Sequence, residues 1–288
     1  MEQLRRVLVR TVDPPAPRAG WETLTMLATV KAYPAVSSKY GESVCVAGLR
    51  LDSPEPTWIR LFPVSFRALP REMRFEKYRV ISLRARRGTT DVRPESWKPD
   101  LTSMRLGESL GTDAGTWRRR WEIVDPVADS TTTCDMLREA RRHAWAAPSL
   151  GLVRPVDVSD LSIELNPAYE SARSDRVDVD LFGRSRAVLE PTPFHAHYRY
   201  RCASRGCRGH RQSIVDWESG QLARRNLREV GVEEAMRRHR NRFLHEMCGP
   251  GRDTYFYIGN QHRHPRSFLV LGLFWPPRNS RPPLTLFD

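Results

Sequence analysis

The sequence predicts an α+β protein in two parts. The N-terminal part is β-rich, a small curled sheet or OB-like barrel, and the C-terminal part is a basic α+β module stapled by a bound metal. Three observations carry this expectation. Runs rich in β-branched and aromatic residues, bounded by turn residues, recur at 43–51, 57–62 and 79–86. Two thiols and an imidazole, Cys202, Cys207 and His210, fall within nine positions. Basic helical patterns and two apolar strands, 254–258 and 268–275, then follow that cluster.

In chain order, residues 1–20 read as a flexible lead-in with Pro14, Pro15 and Pro17 close together. The pattern of 21–30 does not decide between helix and strand. Residues 31–40 hold Lys31 and Lys39, two of the four lysines in the chain, and read either as a phosphate-facing loop or as a solvated connector. The three β runs follow, with Cys45 between two valines as a small buried hydrophobe. Trp58, Phe66, Arg60 and Arg67 are candidates for a face presented to single strands, though large aromatics more commonly fill a small core. Residues 106–115 read as loop. Trp117 and Trp121 are four apart and share one helical face. The stretch 129–143 is the clearest helix of this half, with Ser and Thr available as caps, an apolar stripe of Met136, Leu137 and Ala140, and basic residues at its end. Short strands are expected near 148–155 and 160–165. The domains expected are therefore 21–165, a linker or long loop at 166–193, and 194–288.

The last of these contains the residues with the most specific chemistry. Residues 194–201 alternate as a strand, with His195 and His197 on one face, and lead into the Cys/Gly turn. Cys202, Cys207 and His210 are donors of the type that hold Zn²⁺. Their C-x4-C spacing is looser than that of the tightest zinc fingers. Cys248, with His245 as the alternate, ends the next basic helix and completes a set of four. Asp216 and Glu218 flank Trp217. In a strand they share a face and can hold Mg²⁺ or Mn²⁺ for a metal-dependent nuclease or phosphodiesterase. In a helix they are an N-cap and a first-turn acid. The helical, basic run 221–228 that follows favours the cap, and the absence of any lysine from this region counts against the nuclease.

Charge narrows the function. The chain has 288 residues and a net charge of +13, and its cations are almost all arginine. Between 194 and 266 there are 15 arginines against seven acidic residues. Such a field attracts polyanions, and DNA or RNA is the partner expected first. The phosphate-contacting candidates are Lys31, Lys39, Arg60, Arg67, Arg208, Arg211, Arg237, Arg238, Arg263 and Arg266. A basic adaptor subunit that meets an acidic protein partner is the third reading, after the binding protein and the nuclease. No apolar stretch is long enough to span a membrane. Five irregularly spaced cysteines do not form a secreted disulfide framework, so a cytoplasmic setting is expected. Walker, dinucleotide-binding, nucleophile-elbow and zinc-protease signatures are all missing.

Overall fold

Residues 22–31 show no alternation because both faces of the strand they form are buried. Met26 and Ala28 pack inside a barrel, while Leu27 and Val30 pack outside it. The computed structural model describes residues 2–33, 35–37, 41–171, 178–179, 185–186 and 191–283. A helix α1 (Glu2–Arg10) precedes the barrel. The barrel region consists of β1 (Glu22–Lys31), β2 (Ala35–Ser37), β3 (Gly41–Arg50), β4 (Trp58–Val64), β5 (Arg79–Arg87) and β6 (Ser96–Ser109). Helices α2 (Arg118–Val124) and α3 (Thr133–His143) lead into β7 (Leu150–Val153) and β8 (Pro155–Leu165). The short α4 (Pro167–Ser171) and the two-residue strands β9 (Asp178–Val179) and β10 (Ser185–Arg186) come next. The chain continues through β11 (Phe194–Cys202), β12 (His210–Ser213), α5 (Trp217–Val230) and α6 (Val232–Arg240), which runs into a π-helical turn (Asn241–Glu246). It then forms β13 (Tyr255–Gln261) and β14 (His264–Phe274).

Five strands close on themselves in the order β1-β5-β6-β4-β3, with β3 returning to β1. All pairings are antiparallel except β4 with β6. Closure requires β1 and β3 to approach tightly at Ala28 and Gly48, where a Cβ on Gly48 would sit 1.9 Å from the Leu27 carbonyl oxygen. Met26, Val46, Ile59, Leu61, Ile81 and Met104 fill the interior.

The C-terminal region has two three-stranded sheets, β12-β11-β8 and β14-β13-β7. They enclose a core of Tyr198, Tyr200, Phe256, Ile258 and Val270. A further core spans the junction: Leu27, Val30 and Leu49 of the barrel pack with Trp121, Tyr255, Tyr257 and Phe274. Buried polar bonds reinforce it. Arg60 donates to the backbone and side chain of Ser149, and Ser149 donates to Glu95 at 2.8 and 2.7 Å.

Two expectations change here. The lead-in contains α1, whose Leu8 is wholly buried. The loop expected at 106–115 begins as the end of β6, a strand the sequence hides because its burial alternates irregularly through a register shift. The stretch 166–193 connects β8 and β11, which are neighbours in one sheet. Most of that stretch lies outside the described residues.

Candidate metal centre and basic cleft

Thr132 caps α3 by accepting a hydrogen bond from the Asp135 backbone N–H at 3.1 Å, as the Ser/Thr run suggests. That start point places Cys134 in the first turn of α3. Strand β11 ends at Cys202, and the chain turns through Gly206 and Gly209, both at positive φ (74° and 99°), before His210 opens β12. A side chain at either glycine would be strained, so the turn depends on them. Cys207 projects from this turn, and its Sγ accepts a bond from the Gly209 N–H at 3.4 Å.

The result is a cluster of Cys134, Cys202, Cys207 and His210 whose ligand atoms all lie within 4.8 Å of one another. His210 Nε2 is 3.6 Å from Cys134 Sγ, 3.4 Å from Cys202 Sγ and 3.2 Å from Cys207 Sγ. Zn–S bonds of about 2.3 Å and a Zn–N bond of about 2.0 Å at tetrahedral angles put sulfur and nitrogen roughly 3.5 Å apart. The four residues therefore fit a tetrahedral ion. Burial, with the neighbouring Cys202 and Cys207 sulfurs, pushes the Cys134 thiol up to about 12. Deprotonating three thiols held this close calls for a cation among them.

Cys248, expected as the fourth ligand, lies apart. Its Sγ donates to the Phe243 carbonyl at 3.4 Å, and burial pushes its thiol up to about 12. His245, the alternate, is exposed on the π-helical turn. Cys134 takes the position instead. Its sequence signal is weak, being one cysteine in a helical first turn, 68 positions from Cys202.

The second site lies where the barrel meets α5. Ala32 pairs with Asp216, and the Tyr33 N–H donates to the Val215 carbonyl. Asp216 is the N-cap of α5: Oδ1 accepts from the Glu218 backbone N–H at 3.1 Å, and Oδ2 accepts from Lys77 Nζ at 2.6 Å. Lys77 also lies 3.4 Å from Glu218. Both oxygens of Asp216 are thus engaged at a position only 4% exposed. The lysine that the C-terminal sequence lacks is supplied by the barrel. Burial opposes the Lys77 charge, but Asp216 and Glu218 outweigh it and raise its pKa. Lys31, also buried, donates to the Phe75 carbonyl at 2.9 Å and lies over the Phe66 ring. Burial lowers its pKa, with Glu218 opposing.

From this junction opens a cleft of about 1240 Å³ along α5, α6 and the π-helical turn. Lys31 and Trp217 line it together with Arg225, Arg228, Arg237, Arg238 and Arg242. Arg237 and Arg238 are paired with Glu234. Arg225 and Arg228 are exposed and have no ion pair among the described residues. The other candidate cations are dispersed. Arg60 is buried, with its guanidinium on Ser149 and Asn260, and so serves the junction. Arg67 is exposed beside Phe66. Arg208 and Arg211 are exposed around the metal cluster, and Arg263 and Arg266 are exposed around the β13–β14 turn. Lys39 lies outside the described residues.

Among the described residues, no helix is long and apolar enough to cross a membrane. No curated protein matches the chain. One solved structure it resembles is that of a replication protein A heterotrimer bound to ssDNA. The match is 11% identical and covers 96% of this chain and 68% of the other, with a TM-score of 0.25, too low to argue from. A family model described as "Domain of unknown function (DUF8758)" matches residues 22–126, the barrel and α2. Another, "Domain of unknown function (DUF8757)", matches residues 129–288, which hold the Cys134, Cys202, Cys207 and His210 cluster and all the arginines of the cleft. With more than half its length matched, the chain belongs to the DUF8757 family.

Proposed function

We propose that the protein binds nucleic acid in the cytoplasm, holding the phosphate chain in the cleft between the barrel and α5–α6. The observation that carries this reading is the row of arginines along that cleft, with two of them, Arg225 and Arg228, uncommitted to any acid among the described residues. Arginine forks suit phosphate oxygens and bind them regardless of sequence. The closed five-stranded barrel is OB-like, a shape used to bind oligonucleotides. Zn²⁺ at Cys134, Cys202, Cys207 and His210 is structural in this reading. With four protein ligands it has no open position for a substrate, and it ties α3 to the β11–β12 turn, part of the scaffold that carries α5.

The test is fluorescence anisotropy with a labelled oligonucleotide across a salt series. Affinity is expected to fall steeply as salt rises, because bound arginines displace condensed counterions. The Arg225→Glu/Arg228→Glu double variant is expected to weaken binding at least tenfold and to flatten the salt slope by about two. An unchanged slope and affinity in a folded double variant would reject the cleft as the binding surface. Cleavage of the oligonucleotide that requires Mg²⁺ and disappears in Glu218→Gln would instead support the nuclease reading.

A further inference from the structure

Beside the cleft, and sharing Glu218, Arg242, Phe243 and Met247 with it as lining residues, is a smaller pocket of about 520 Å³. Its size is that of a small-molecule site, roughly 300–1,000 Å³. The pocket is aromatic and carries four cations, Lys77, Arg120, Arg242 and Arg252, beside three acids, Glu76, Asp216 and Glu218. Arg242 and Arg252 each lie over the Trp275 ring, at 4.8 and 4.7 Å. Arg120 lies over Tyr78 at 3.9 Å and over Trp117 at 4.8 Å, and it also donates to the Leu110 carbonyl. Trp117 and Trp275 meet edge to face at 5.3 Å. A guanidinium held flat on an indole keeps its N–H edge for a phosphate and its outer plane for stacking on a base.

The charges here are not equally committed. Lys77 is engaged with Asp216 and Glu218, and Arg242 pairs with Glu246 at 2.5 Å. Arg120 and Arg252 have no acidic partner among the described residues. Arg242 projects from a π-helical turn, a helix form that recurs at functional sites, and it lines both the cleft and the pocket. A ligand that suits this pocket carries an anionic group and a flat aromatic ring, and is joined to whatever occupies the cleft.

The geometry points to a nucleotide-end pocket: the terminal, phosphate-bearing nucleotide of a single strand in the cleft seats between Arg120 and Arg252. This rests on the nucleic-acid reading of the cleft and names the form of ligand the site takes. A continuous duplex has no free end nucleotide to place there, so the assignment also selects single strands with phosphorylated ends.

The experiment compares three otherwise identical labelled oligonucleotides, carrying a 5′-phosphate, a 3′-phosphate or neither. Anisotropy is read for the wild type, Arg252→Gln and Arg120→Gln, with thermal melts confirming that each variant folds. A phosphate at one end is expected to tighten binding about tenfold. That gain is expected to vanish in Arg252→Gln, and in Arg120→Gln if it folds, so that each folded variant binds the three strands with equal affinity. Arg252 lies over the Trp275 ring at 4.7 Å, and its variant carries the test if Arg120→Gln misfolds. Equal binding of the three strands by the wild type overturns the proposal. So does saturable binding of a free nucleoside monophosphate without any end preference, since the pocket would then serve a separate nucleotide. Failure of all three strands to bind would instead reject the cleft reading on which the pocket depends.

Discussion

Replacing Cys134 by alanine separates the ligand set that the fold brings together from the one the sequence pattern suggests. Of the four clustered residues Cys134 alone lies outside the β11–β12 turn, and it brings α3 to that turn across 68 positions of chain. A cross-link closing a loop of that length is worth about 4 kcal/mol by chain entropy alone. Truncating one of three thiolates also forfeits part of a binding free energy that reaches roughly 10–16 kcal/mol in zinc-finger peptides. The wild type is expected to carry one Zn²⁺ per chain by elemental analysis. Cys134→Ala is expected to lose it and to melt on the order of 10 °C lower. Cys248→Ala is expected to keep its zinc, because that thiol faces the Phe243 carbonyl instead of the cluster. Stoichiometric zinc in Cys134→Ala, or its loss from Cys248→Ala, would refute the assignment of ligands.

Three further outcomes follow from the packing. Lys77→Met leaves Asp216 buried without its cation and is expected to cost about 3–5 kcal/mol in urea unfolding; Asp216→Asn, which retains an N-cap, is expected to cost less. His239 is buried beside Ser219, Phe194 and Phe243, and burial lowers its pKa to about 4. Because the folded pKa lies below the unfolded one of about 6.5, the unfolded chain takes up the proton first. Its contribution, on the order of 3 kcal/mol, is complete above pH 6.5 and is lost as pH falls toward 4. The difference in unfolding free energy between the wild type and His239→Phe, followed against pH, should show this slope; a flat difference would refute it. Gly48→Ala drives a Cβ into the Leu27 carbonyl and is expected to open the β1–β3 seam, read as lost amide-exchange protection along β1.

Features that depend on neighbouring residues were legible in the sequence. The β runs at 43–51, 57–62 and 79–86 became β3, β4 and β5, because β-branched residues bounded by turn residues carry a local signal. The helix at 129–143 was legible from its Thr cap and apolar stripe, and it formed as α3. Asp216 read as a cap because the residues after it are helix formers, and it is one. Cys202, Cys207 and His210 were recognisable because one turn brings them together. The rest came from long-range packing. Burial on both faces erased the alternation in β1, and a register shift broke it in β6. Cys134 reached the metal cluster, and Lys77 reached Asp216, across 68 and 139 positions of sequence. No local pattern encodes such meetings, because the partners are set by how the barrel packs against the C-terminal sheets. Arg60, which read as a phosphate contact, became a buried strut of the junction for the same reason: its surroundings exist only once the two parts have folded together.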